Sequence, residues 1–140
     1  GSFAGTPLSP RLLARSASDR ASVERLIRNT GSTLEPEGVA LYERLMRDPD
    51  HIAGALAMMA NWDLRPLERD LPTLRPALLL VVGGADRAIP PEDAFRVRER
   101  VPAARVRTLR GLGHLAHEER PDEIAEVIES FACSVGALPD

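Results

Sequence analysis

A carboxylate and an imidazole follow two neighbouring predicted strands of this chain, at the point where each strand ends. Asp86 follows the apolar run 77–82, and His114 follows the short run 105–109. Catalytic groups collect at the carboxyl ends of parallel strands, so we expect the two side chains to lie side by side. A histidine with a pKa near neutrality is suited to general base catalysis, and an aspartate beside it fixes its tautomer. The sequence therefore predicts two of the three members of a catalytic triad.

Plainer interpretations exist for both residues. Asp86 could simply close a tight turn before a helix, a common use of aspartate. His114 could simply hydrogen-bond to the backbone of its own loop. Glycines surround both positions and let the two loops turn sharply and approach each other. Their presence favours the paired arrangement over two unrelated loop residues.

Metal and cofactor sites are not predicted. His114, His117 and Glu118 contain the right ligand types, but they lack the helical H-E-x-x-H order that zinc sites of this kind use. Gly83 and Gly84 follow a strand, but the G-x-G-x-x-G spacing of a dinucleotide loop is missing. We therefore expect no bound cofactor and no metal at this site.

The sequence pattern predicts helices in the first half of the chain and strands that alternate with helices in the second half. Helical periodicity covers residues 7–14, 18–29, 35–47, 51–61 and 64–74, with Asp50 as the expected cap of the fourth segment and Gly31 as the stop of the second. After Pro76 the order is strand 77–82, helix 90–100, strand 105–109 and a last helix from Pro121. A continuous apolar run of strand length is typical of a strand buried on both faces, and hence of a parallel sheet.

These elements predict an α/β fold in which a helical region is followed by a βαβα module. Two parallel strands alone make a marginal sheet with unpaired backbone edges. We therefore expect the sheet to be incomplete in this chain. The expected partner of the exposed sheet edge is a missing N-terminal half of the fold, or a second copy of the chain in a homo-oligomer.

Composition excludes several classes of function. The net charge of −3 provides no basic surface for nucleic acid. No apolar run reaches the 18 residues typical of a transmembrane helix, and no signal-peptide pattern is visible. The single cysteine, Cys133, excludes an intrachain disulfide and fits a reducing compartment. A cytoplasmic location is the expectation.

Two motifs resemble the C-terminal part of the α/β-hydrolase superfamily. They are Gly-Gly-Ala-Asp-Arg-Ala-Ile-Pro at 83–90 and Gly-Leu-Gly-His-Leu-Ala-His-Glu-Glu-Arg-Pro at 111–121. In that superfamily the acid follows the penultimate strand and the histidine follows the last. The resemblance implies that Asp86 is the acid and His114 the base. It also implies that residues 1–63 form a helical cap region and residues 64–140 the C-terminal portion of the hydrolase core.

The nucleophile of that superfamily has no counterpart in this chain. A serine in G-x-S-x-G is expected after a strand, and none of the serines at positions 2, 9, 16, 18, 22, 32, 130 and 134 lies in that motif. The resemblance implies that the serine and the oxyanion-hole loop precede residue 1. We therefore expect no hydrolysis by this chain alone.

A narrower resemblance comes from segments 38–42 and 58–64, which are similar to magnesium-chelatase accessory proteins of bacteriochlorophyll biosynthesis. It implies assistance to tetrapyrrole metallation. The cap side chains expected to contact a small hydrophobic substrate or a tetrapyrrole are Met58, Met59, Asn61 and Trp62, and ordinary helix packing is the alternative interpretation of each. The other two functions that remain open are a fragment of a generic serine hydrolase and a non-catalytic ligand- or partner-binding module.

Overall fold

The computed structural model describes residues 19–139, which form two compact units. The first unit contains residues 19–26 and 35–63, and the second contains Ile27–Leu34 together with residues 64–139. The short helix expected over residues 7–14 lies outside the described residues. Ile27–Leu34 thus belongs to the unit that holds the strands, although it lies in the helical half of the sequence.

The first unit is helical. Helix α1 is Arg20–Asn29, of which residues 20–26 lie in this unit, and it is followed by α2 (Pro36–Met46) and α3 (Pro49–Ala60). Helix α2 packs against α3. The side chain of Asp19 caps α1 by accepting a hydrogen bond from the Ser22 amide at 2.9 Å.

The prediction that Asp50 caps the third of these helices is wrong. The cap is Asp48, whose Oδ1 accepts hydrogen bonds from the amides of Asp50 at 2.9 Å and His51 at 3.3 Å. The reason is Pro49, which begins α3. Proline is favoured at the first helical position because its fixed φ suits the helix and its missing N–H has no partner there, so the capping residue is the one before it.

The second unit contains the sheet. Its elements in chain order are α4 (Arg65–Asp70), a 3₁₀ turn (Leu71–Thr73), β1 (Leu79–Gly83), α5 (Glu92–Arg100), β2 (Arg105–Leu109), α6 (Ala116–Glu119) and α7 (Pro121–Ser134). The predicted α/β class and the order of strand, helix, strand and helix are confirmed, with the single turn α6 added before the last helix. Within residues 19–139, no helix is both long enough and apolar enough to span a bilayer.

Strands β1 and β2 pair in parallel, with Leu79 opposite Arg105 and Gly83 opposite Leu109. The pairing continues past the strands, because the Gly84 amide donates to the Leu109 carbonyl at 2.8 Å. Both strands therefore end at the same edge of the sheet. The loops that carry Asp86 and His114 begin there.

The core of this unit lies under the end of β2. Leu109, Leu112 and Ala116 are buried, and the partly buried hydrophobic residues that pack on them are Val81, Ile124 and Val127. The prediction that the first strand is buried on both faces is wrong, because Leu79–Val82 are only half-buried. Among residues 19–139, β1 pairs with β2 alone, so its second edge has no strand beside it.

Candidate active site

The loop after β1 holds the Asp86 carboxylate in a fixed orientation. Asp86 Oδ1 accepts hydrogen bonds from the amides of Ala88 at 2.8 Å and Ile89 at 2.9 Å. This is the local turn that aspartate forms with the backbone two and three residues ahead. It occupies one carboxylate oxygen and leaves the other, Oδ2, for a partner outside the loop.

The loop after β2 supplies that partner. Gly111, at a φ of +76°, turns the chain sharply after the strand, a conformation that glycine adopts without steric cost. The loop then brings His114 to Asp86, with Nδ1 of the imidazole 2.9 Å from Oδ2. The two candidate residues therefore meet side by side, as their positions after neighbouring strands led us to expect.

The electrostatics of the pair fix the tautomer of the histidine. Burial alone would raise the pKa of the Asp86 carboxyl, but hydrogen bonds from the Ile89 amide, His114 and the Ala88 amide hold that pKa below its ordinary value. The carboxyl is thus ionised at neutral pH and can only accept hydrogen bonds, so Nδ1 carries the hydrogen. In the neutral imidazole the lone pair then lies on Nε2, the atom that acts as a general base.

An apolar trough lies beside the pair. It has a volume of about 360 Å³ and includes Asp86, His114 and His117 in its lining. Its hydrophobic wall comes from β1, the following loop and α7, namely Val81, Val82, Ile89, Ile124 and Ile128. Covering an apolar surface of this kind is favourable, because it removes hydrophobic side chains from water.

The described serines do not complete a triad. Ser22 Oγ donates to Asp19 Oδ2, Ser134 Oγ donates to the Phe131 carbonyl, and Ser130 lies exposed on α7. Ser32 is only 1% exposed, and its Oγ accepts a hydrogen bond from the Leu115 amide at 2.8 Å. None of these four hydroxyls forms a hydrogen bond with the His114 imidazole.

The predicted substrate-binding residues lie in the first unit, at the C-terminal end of α3 and just beyond it. Met58, Met59 and Trp62 are exposed, with 54%, 49% and 60% of their surface accessible. The Asn61 side chain donates to the Ala57 carbonyl at 2.7 Å and so binds the end of its own helix. Their assignment to a ligand stays a prediction.

His117, which lies on α6, has a carboxylate close by. His117 Nε2 lies 3.6 Å from Glu118 Oε1. Across the part of the chain that the structure describes, no group of three or more His, Cys, Asp or Glu side chains is arranged to hold a metal ion.

Three residues at the site were not predicted from the sequence. Thr30, Ser32 and Glu119 make hydrogen bonds to the backbone of the loops that carry Asp86 and His114. In the sequence, Gly31 was interpreted only as a helix stop. Its φ of +85° is consistent with that role, but a glycine also permits a close approach of backbone to backbone, and Gly31 lies directly against the backbone of Ala85.

Comparison with known proteins confirms the resemblance. A sequence profile of the alpha/beta hydrolase family matches residues 2–127. The magnesium-chelatase 30 kDa subunit of Rhodobacter capsulatus is 34% identical to this chain over 126 residues. The matched region is 90% of this chain and 44% of that relative, so the chain spans less than half the length of the curated relative.

Proposed function

The chain belongs to the alpha/beta hydrolase family, and from this premise we propose that Asp86 and His114 form the acid–base part of a hydrolase-type active site. The observation that carries the proposal is the 2.9 Å contact between His114 Nδ1 and Asp86 Oδ2. This contact orients the imidazole and leaves the Nε2 lone pair ready to accept a proton.

In the proposed reaction, Nε2 of His114 removes the proton of a hydroxyl nucleophile as its oxygen attacks a carbonyl carbon. The imidazolium is stabilised by the ionised Asp86 and returns the proton to the leaving oxygen, which departs as an alcohol. Water then repeats the sequence on the acyl group and releases the acid. The hydroxyl comes from outside residues 19–139, since the serines within that range have other partners or lie on α7.

The unpaired edge of β1 supports the proposal that a further strand completes the site. The apolar trough is lined by Val81, Val82 and Gly83 of β1 and also by both members of the pair. Open strand edges bind additional strands readily. We assign the trough to a strand from the same protein, because the relative is more than twice as long as the region it shares with this chain. A strand in that position would end next to His114.

The trough assignment is tested with an apolar dye such as ANS. The 140-residue chain alone should bind the dye, and Ile128→Arg should reduce binding, because Ile128 is 54% exposed in the wall of the trough. If the proposed strand fills the trough, the protein expressed from its complete gene should bind little dye. Equal dye binding by both forms argues against the assignment, and a stable dimer of the chain that Ile128→Arg dissociates assigns the trough to a second copy.

The hydrolase proposal is tested with p-nitrophenyl acetate and the protein expressed in its natural reading frame. Turnover should fall by about 10²–10⁴-fold in His114→Ala and in Asp86→Asn. His51→Ala is the matched control, because His51 is an exposed histidine of α3 whose amide, rather than its side chain, bonds to Asp48. Absence of turnover in the wild type, or unchanged turnover in His114→Ala, refutes the proposal.

A second candidate function is assistance to the magnesium chelation of a tetrapyrrole. It is supported by the 34% identity to a magnesium-chelatase subunit and by three large apolar side chains exposed around the end of α3. Trp62 is the only tryptophan of the chain, so quenching of its fluorescence reports porphyrin binding directly.

Met58→Ala and Met59→Ala should each weaken porphyrin binding about fivefold, because each substitution removes a partly buried apolar contact with the porphyrin. Leu41→Ala is the control, since Leu41 is also an exposed apolar residue of the first unit, on α2. Unchanged affinity in both methionine variants removes this candidate site. Ester turnover without porphyrin binding identifies a general serine hydrolase, and porphyrin binding without turnover identifies a non-catalytic binding module.

A further inference from the structure

Residues 30–33 lie between the loop that carries Asp86 and the loop that carries His114. The carbonyl oxygen of Thr30 accepts two hydrogen bonds, from the Arg87 amide at 3.0 Å and from the His114 amide at 3.3 Å. One backbone oxygen therefore joins the residue after the acid to the histidine itself. We call residues 30–33 the bridging segment.

Three consecutive amides around the histidine each have their own acceptor. The Gly113 amide donates to Glu119 Oε1 at 2.8 Å, the His114 amide to the Thr30 carbonyl, and the Leu115 amide to Ser32 Oγ at 2.8 Å. Each of the three acceptors belongs to the bridging segment or to α6. The backbone on both sides of His114 is thereby fixed against movement.

Glu119 also connects α6 to the bridging segment. While Oε1 accepts from Gly113, its second oxygen, Oε2, accepts from the Thr33 amide at 3.2 Å. A carboxylate that accepts two backbone N–H groups forms charge-assisted bonds, which are stronger than neutral ones. Glu119 thus ties the histidine loop and the bridging segment together at one point.

The packing at this junction leaves no room for adjustment. A Cβ atom on Gly113 would collide with the backbone of Gly31 and Ser32, and one on Gly31 would collide with the Ala85 carbonyl. The bridging segment is therefore in direct backbone contact with both loops. A displacement of the segment would be transmitted to the histidine and to the turn that holds the acid.

We propose that Ser32 and Glu119 are positioning residues, which hold the His114 backbone so that Nδ1 reaches Asp86. The inference rests on the proposed function, because it assigns a purpose to the geometry of the same pair. Neither residue acts on a substrate: Ser32 is buried with its oxygen engaged, and both Glu119 oxygens bind backbone amides. Their effect on catalysis would come through His114 alone.

The test is the proton NMR signal of the hydrogen that His114 Nδ1 shares with Asp86, recorded on the protein expressed from its complete gene. A hydrogen held between an imidazole and a carboxylate resonates far downfield and exchanges slowly with water. The chain has three histidines, so His114→Ala and Asp86→Asn identify the signal by abolishing it. Exchange should become about fivefold faster in Ser32→Ala and about tenfold faster in Glu119→Ala, as expected for the loss of one neutral and two charge-assisted hydrogen bonds that act indirectly.

Matched controls are Ser130→Ala and Glu123→Ala, since Ser130 is exposed on α7 and Glu123 forms a surface ion pair with Arg120. Both should leave the exchange rate unchanged. Glu119→Gln keeps the Oε1 acceptor and should give an intermediate rate, which serves as the milder variant if either alanine substitution unfolds the chain. Wild-type exchange rates in folded Ser32→Ala, Glu119→Ala and Glu119→Gln overturn the positioning roles and leave the proposed function intact. Absence of the signal from the wild type overturns both.

Discussion

Gly83 is the position at which a single methyl group should disturb both the sheet and the candidate site. A Cβ atom there would lie 2.7 Å from the Leu112 carbonyl oxygen and 2.9 Å from the carbonyl carbon of Gly113, and it would also collide with the Gly113 oxygen. A carbon normally stays about 3.3 Å or more from an oxygen, so relief of the Leu112 contact alone needs a retreat of about 0.6 Å, and relief of the Gly113 contact needs a larger one. All three atoms are backbone, which cannot move aside by a change of rotamer.

We expect Gly83→Ala to lower the free energy of unfolding by about 1–3 kcal/mol, the usual cost of inserting a group into a packed interior. The measurement is urea unfolding followed by far-UV circular dichroism. A loss of about 2 kcal/mol lowers the urea midpoint by about 1 M for a chain of this size. The matched control is the next glycine: a Cβ on Gly84 would lie 3.2 Å from the Leu109 oxygen and 3.4 Å from a Thr108 methyl, so its substitution should cost less than half as much. A Gly83→Ala midpoint equal to that of the wild type, or above that of Gly84→Ala, refutes the packing argument.

Two further predictions concern Asp86 and the cap of α3. The pKa of Asp86 is depressed, so its ionised form stabilises the fold. This stabilisation is fully present when the pH is above the ordinary aspartate pKa of 3.8, and it disappears as the pH falls through the depressed pKa. Urea midpoints should therefore fall more steeply in the wild type than in Asp86→Asn as the pH is lowered from about 5 to about 2, and parallel curves would contradict this. Asp48→Ala should cost about 1 kcal/mol through loss of the helix cap, whereas Asp50→Ala should cost about 0.3–0.5 kcal/mol through the helix dipole alone. Circular dichroism melts of the two variants check the order, and a reversed order would restore Asp50 as the cap.

The contact between Asp86 and His114 could be predicted because it follows from topology. An apolar run bounded by proline and glycine indicates a buried strand, and the helix between the two runs requires a parallel pair. Parallel strands end at one edge, so the residues that follow them are neighbours whatever the details of the loops. The structure differs in the burial of β1, which depends on what pairs with its second edge and cannot be read from the strand itself.

The bridging segment could not be predicted by the same route. Its contacts with the histidine loop and α6 join residues 83 and 86 positions apart, as in the hydrogen bonds from Leu115 to Ser32 and from Thr33 to Glu119. Periodicity and turn chemistry describe only neighbours along the chain, and they correctly end α1 near Gly31. They do not show which part of the fold residues 30–33 contact after the helix ends. The cap Asp48 differs from the expected Asp50 for another reason: periodicity places the start of the helix after Pro49, whereas proline itself occupies the first helical position.

The bridging segment also determines the order in which the candidate site can assemble as the polypeptide leaves the ribosome. Ser32 is synthesised long before Leu115, so its hydroxyl has no amide to accept from until 83 more residues have been added. Contacts that close such long loops form late, after local helices and hairpins. The long-range hydrogen bonds of residues 30–33 therefore cannot form until Leu115 and Glu119 have been made. The contacts that fix the backbone beside His114 are complete only once the chain extends to Glu119.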